Sequence, residues 1–183
     1  PAAYGLARHP GWLSRLLEEF ISFPLAVPGL ALALALLQLY GTLGGFRTSW
    51  TFILVGHVLY TLPFMVRSIL AVLVAIDLKT LEEGAASLGA SPWQRFRDIV
   101  VPNAMPGILA GALTVVTLSI GEFNLTWMLH TPYLKTLPVG LADSYASMRL
   151  EIASAYTFVF IVLVVPLVMA MQWASARAQR RAQ

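Results

Sequence analysis

The sequence predicts an all-α integral membrane protein with about four transmembrane helices and one polar helix pair outside the membrane. Three observations lead there. Of 183 residues, 58% are hydrophobic and only 11% charged, where a soluble domain carries about 25% charged. Several uncharged runs reach the length a helix needs to cross a bilayer, about 20 residues. The charges that exist gather between those runs, most densely around residues 77–105. Backbone groups in lipid must be satisfied within the segment, so the runs are helices.

Residues 1–19 carry Arg8, His9, Arg15, Glu18 and Glu19, and the stretch GWLSRLLEEF is amphipathic at helical spacing. It reads as a cytoplasmic or interfacial segment lying on the membrane surface, or as a plain inter-span loop. Residues 20–183 form the membrane domain.

From Phe20 to Phe46 there is no charge, and this is the first span. Pro24, Pro28 and Gly29 predict a kinked entrance. The Ala/Leu alternation that follows looks strand-like, but such a run in lipid is helical. Trp50 to Val66 is the second span, ended by Arg67, with His57 and Tyr60 on it and Pro63 as a kink. His57 either contacts a solute or makes a helix–helix hydrogen bond.

The stretch EEGAASLGASPWQRFRDIVVPNAMPG, residues 82–107, is the most polar part of the chain. Ala85, Ala86 and Gly89 share one side at helical spacing and offer a small-faced surface. Pro92 suits the start of a second, amphipathic helix to Val101. Pro102 breaks it, and Pro106-Gly107 opens the third span, which runs to Leu129.

Gly107, Ala110 and Gly111 favour close helix packing there. Glu122 lies roughly 22 Å along the helix from Gly107. A carboxylate inside a span is costly, so Glu122 signals solute contact, an interior network with His57, or a place near headgroups. Asn124 shares that stretch as a solute-pathway candidate, and Trp127 is an interface anchor. A polar, partly helical loop, residues 130–152, leads to the fourth span, Ala153 to Trp173, which contains Pro166.

Chemistry-bearing motifs are missing. There is no GxxxxGK[ST] loop, HExxH, GxSxG elbow or cysteine. No metal, cofactor or catalytic residue is expected. The net charge of +3 and pI near 9.5 reflect loop topology, since no basic–aromatic interleaving points to nucleic acid.

Glu83, Gly84, Ala85, Gly89, Ile99, Val101 and Pro102 fall at one family's spacing: Glu-Ala-Ala, three residues, Gly, nine residues, Ile, one residue, Leu-Pro. The stretch resembles the EAA loop of the permease subunits of binding-protein-dependent ABC importers. Gly84 stands for the first Ala and Val101 for Leu; the glycine loosens the helix by about 1 kcal/mol. The resemblance extends from about Phe20 to Gln172. The segments GEFNLTWMLHTP and LPVGLADSYAS are most similar to permeases of the polyamine, ferric iron, thiamine and phosphonate group.

The resemblance implies a type I ABC importer transmembrane domain lacking its first one or two spans, since that family usually has five or six. It implies a multi-pass subunit of a bacterial inner membrane that couples solute import to an ATP-binding-cassette ATPase dimer, with Mg-ATP held by that ATPase. Further implied partners are a second permease, identical or homologous, and an extracytoplasmic solute-binding protein. Glu83, Gly84, Ala85, Ala86 and Gly89 would form the ATPase-coupling surface, and Pro102 and Gly107 would carry its motion into the third span.

With this loop inside, nine of the twelve basic residues, including Arg8, Lys79, Arg95, Arg177, Arg180 and Arg181, lie inside and only Arg47, Lys135 and Arg149 outside, as the positive-inside rule requires. An ion-coupled secondary transporter needs a relay of ionisable groups in the spans, where the sequence offers Glu122 and His57. A non-transporting scaffold is the other alternative.

Overall fold

The computed structural model describes residues 1–9 and 11–181, and most of them are helical, with no strand among them. In chain order the helices are α1 (Ala2–Arg8), α2 (Trp12–Ala26), α3 (Gly29–Tyr40), α4 (Gly44–Arg47), α5 (Trp50–Ala75), α6 (Leu78–Ser87), α7 (Pro92–Arg95), α8 (Val101–Gly121), α9 (Asn124–Leu129), α10 (Leu137–Ala146) and α11 (Leu150–Arg181). Residues 182–183 of the expected membrane domain, and the side chains of Arg180 and Arg181, lie outside the described residues.

Among the described residues three helical stretches are long and apolar enough to cross a membrane: Trp50–Ala75, Pro92–Gly121 and Leu150–Trp173. A fourth arises if α2 and α3 count as one broken span. The expected kink near Pro28 is therefore a full break. Pro28 disfavours helical geometry at Val27, and Pro28 itself is extended at ψ 141°. Helix α2 also runs through the expected boundary at residues 19/20.

Three expected boundaries are corrected. Arg67 does not end the second span, because α5 continues to Ala75 and the Arg67 Nε donates to Ser22 Oγ at 3.0 Å. Pro102 does not break the chain. A π-turn over Phe96–Val100 joins α7 to α8, and the Val101 amide reaches back to the Phe96 carbonyl. Such a turn makes room for a proline ring that lacks a donor. The third span, finally, ends at Gly121, so Glu122 sits in the break before α9 and not inside a continuous helix.

The described chain forms two compact units. The first comprises residues 1–23 and 62–115 with the chain from Trp173. Its core holds Ala3, Val66, Leu73, Leu78, Val100 and Ala104. Here α8 lies directly on the C-terminal half of α5. A Cβ at Gly107 would stand 2.8 Å from the Ser68 carbonyl oxygen, and one at Gly111 2.7 Å from Met65 Sδ. Ser68 Oγ donates to the Gly107 carbonyl at 2.9 Å. Small residues at this spacing let backbones approach in lipid, as the sequence led us to expect.

The second unit comprises residues 24–61 and 116–172. Ala33, Leu36, Phe52, Leu125 and Leu129 form its core. Arg47 donates to the Leu129 carbonyl at 2.8 Å, a cation at a helix C-terminus where carbonyls lack partners. The expected partly helical loop contains α10, and α11 encloses the fourth span.

Candidate functional site

In the first unit, the residues that carried the family spacing form a helix–turn–helix. Asp77 starts α6, its carboxylate accepting from the Thr80 amide at 3.2 Å, and hydrogen bonding from Thr80 holds this carboxyl below its usual range. The helix ends in a paired motif: the Ala90 amide donates to the Ala85 carbonyl at 3.0 Å and the Gly89 amide to the Ala86 carbonyl at 2.9 Å. This pattern needs a left-handed residue after the cap, and Gly89 supplies it at φ +85°. Ser91 then caps α7 reciprocally with Gln94, at 2.8 and 3.3 Å.

The expected contact surface thus splits into two roles. Gly84, Ala86 and Gly89 are exposed and Ala85 is half-buried. A Cβ at Gly84 or Gly89 would meet nothing within 4 Å. Gly89 is fixed by backbone conformation as well as by the open surface it leaves. Leu88 at 90% exposure and Trp93 at 67% flank it, apolar groups on the outer side of the turn. Glu83 is exposed and lies 3.8 Å from Lys79. Pro102 is exposed on α8, just after the π-turn.

Sequence reasoning overlooked Glu82, the buried neighbour of Glu83. It is 5% exposed and accepts from the Tyr4 hydroxyl at 2.7 Å. Arg8 donates to that hydroxyl at 2.8 Å and stands 4.0 Å from the carboxylate. Tyr4 also packs edge-on against Phe96, ring centroids 5.5 Å apart. Burial, then the bond to Glu82, raises the Tyr4 pKa. The only local signal was the i, i+4 spacing of Tyr4 and Arg8.

In the second unit, His57 and Glu122 meet through Thr126. His57 is buried; its Nε2 lies 2.7 Å from Thr126 Oγ1 and its Nδ1 2.8 Å from Ser119 Oγ. Glu122 accepts from the Leu125 and Thr126 amides at 2.9 and 3.0 Å and from the Thr126 hydroxyl at 3.2 Å. The carboxylate can only accept, so the Thr126 hydroxyl donates to it and accepts from His57 Nε2–H. In a neutral ring Nδ1 then accepts from Ser119. Glu122 also answers the unpaired amides at the start of α9.

Of the four solute-pathway candidates, these two converge. Tyr60 packs against the apolar core of its unit, and Asn124 is exposed at the start of α9. Trp127 is half-buried, its ring 5.3 Å from Phe123 and from His130. A recess of about 510 Å³ beside His57 is lined by Trp50, Ser119, Lys135, Thr136 and Phe160, among others. Its walls are mainly apolar with a few polar groups, the usual make-up of a small-molecule pocket.

The chain matches the family model of binding-protein-dependent transport system inner membrane components over residues 1–182. It is 32% identical over 130 residues to a Chlorella vulgaris protein named as a sulfate transport system permease, CysT, covering 65% of this chain and 48% of the relative. It is 28% identical over 173 residues to PhnV of Salmonella typhimurium, named for 2-aminoethylphosphonate transport, covering 93% and 64%. It is 29% identical over 195 residues to the molybdenum transport system permease ModB of Haemophilus influenzae, covering 98% and 85%. The chain thus spans about half to two thirds of the length of the first two. Its fold is similar to a chain of the inward-facing MetNI methionine ABC transporter, with TM-score 0.75 and 20% identity over all of this chain and 85% of that one.

Proposed function

Because the chain belongs to the family of binding-protein-dependent transport system inner membrane components, we propose that it is a multi-pass permease subunit of an ATP-driven solute importer. One observation carries the reading. The polar stretch is an ordered helix–turn–helix, capped at both helix starts, whose outer side offers Gly84, Ala86, Leu88 and Gly89 with no intrachain neighbour at the glycines. A connector has no need of such order; a docking element does.

On this reading α6 sits in the cytoplasm and rests on a separate ATPase, which holds Mg-ATP and carries out hydrolysis. Glu83, with Gly84, Ala85, Ala86 and Gly89, meets that partner. When the ATPase dimer closes, α6 moves, and the π-turn at Phe96–Val100 passes the motion through Pro102 and Gly107 into α8. A second permease completes the pathway, and the 130–152 loop meets a solute-binding protein outside. Three relatives of similar identity are named for three different solutes, so the proposal is made for the coupling role and names no solute.

The chain has no cysteine, which makes the test direct. Ala86→Cys is cross-linked to cysteines placed around the surface cleft of the cognate ATPase, with and without ATP. A yield that changes with nucleotide is expected. No cross-link from Ala86 or its neighbours, in a membrane-inserted complex that retains uptake, would remove the basis of the assignment.

A further inference from the structure

Between the end of α1 and the α6–α7 pair lies a cleft of about 280 Å³. Its polar lining is Arg8, His9, Lys79, Glu82, Glu83 and Arg95. Glu82 is taken up by Tyr4 and Arg8 at 2.7 and 4.0 Å. Glu83 and Lys79 form a loose pair at 3.8 Å, with side chains 67% and 84% exposed. Such a pair contributes little and leaves both groups free to move. Arg95 differs. It lines the cleft half-buried and has no acidic partner among the described residues; its Nε is enclosed by the protein without a hydrogen bond. The positive charge of Arg95, on the wall of the cleft, therefore stands without a carboxylate partner.

We propose that this cleft binds a phosphate group, that of an anionic phospholipid of the adjoining leaflet, with Arg95 as its receptor and Lys79 as the second cation. A phosphodiester carries one negative charge, and its oxygens match the planar fork of Arg95. The surroundings favour a lipid as the source. Trp12, Leu13, Leu16, Leu17 and Phe20 on α2, a few residues past the cleft-lining His9, are all exposed, an apolar face of the kind that contacts lipid. Basic pockets beside membrane-embedded helices hold lipid headgroups in this way. Assignment to the cytoplasmic leaflet rests on the orientation proposed above; the binding itself does not. Because Lys79, Glu82 and Glu83 belong to α6, an occupied cleft ties the lipid composition of the leaflet to the placement of the coupling helix.

The test uses the assembled permease–ATPase complex in nanodiscs, which present both leaflets in the same composition, so orientation does not enter. Spin-labelled phosphatidylglycerol and phosphatidylcholine report the lipid held by the protein. Wild type is expected to prefer phosphatidylglycerol and to keep that preference in added inorganic phosphate. Arg95→Gln and Lys79→Gln should each reduce the preference about fivefold, with Arg95→Lys intermediate. Displacement by inorganic phosphate would assign the cleft to a free anion instead of a lipid. Equal preference in wild type and Arg95→Gln, both folded by thermal unfolding, would overturn the proposal. The readout needs neither transport nor ATP hydrolysis, so its failure is separate from failure of the importer reading.

Discussion

The Tyr4 hydroxyl donates to the Glu82 carboxylate at 2.7 Å, joining the first helix of the chain to α6, 78 residues later. The contact fixes α6 from the side opposite its exposed face. Tyr4→Phe leaves a buried carboxylate with one partner fewer, which costs about 1–3 kcal/mol. The expected result is a lower thermal unfolding midpoint of the purified complex and faster amide exchange in α6. Tyr4→Phe in a Glu82→Gln background should have a smaller effect; equal effects in both backgrounds would show that the two groups do not interact.

At Gly89 the backbone is left-handed and the surroundings are open. Strain, not crowding, therefore governs substitution there. Gly89→Ala should cost about 1–2 kcal/mol, and Gly89→Asn less, since Asn tolerates that region. Solute-stimulated ATPase should fall in the order Gly, Asn, Ala. The order Gly, Ala, Asn would mean that side-chain size against the ATPase matters more than the turn.

Thr126 is the link between His57 and Glu122. Thr126→Val keeps the shape, removes the hydroxyl and leaves His57 Nε2 without its partner, at a cost of about 1–3 kcal/mol. His57→Ala should weaken the fold by a similar amount, and the two changes together by less than their sum. Unfolding midpoints of the four proteins in one detergent measure this, and strict additivity would contradict the network.

A pH effect is expected in the loop before α11. The Lys135 ammonium, 2.5 Å from Asp143, holds the Asp143 carboxyl below its usual range, with Arg149 at 3.7 Å adding to it. A lowered folded value means that the contact stabilises above about pH 4 and that this is lost as pH falls through the folded pKa. Exchange of the α10 amides, taken relative to the intrinsic rate at each pH, should therefore rise on acidification in wild type. Asp143→Asn should show the fast exchange already at neutral pH and little further change; an unaltered pH profile would remove the pair as the cause.

The sequence by itself determined the membrane class, the spans that it starts at Trp50 and Ala153, the glycine packing of α8 and the helix–turn–helix, together with the family that its spacing marks. These are signals of composition, period and local turn chemistry, which a chain carries along its own length. Tertiary structure decided the rest. Pro102 reads as a breaker until a π-turn supplies the missing register, and Arg67 reads as a terminus until Ser22 gives it a partner. Glu122 reads as a charge inside a span until the helix breaks and its carboxylate turns to the amides of α9. Glu82 looks like its neighbour Glu83, and only the approach of Tyr4 and Arg8 from the far end of the chain separates them. In each case the deciding partner is distant in sequence or lies in a break that a periodic pattern runs across, so no local pattern could name it.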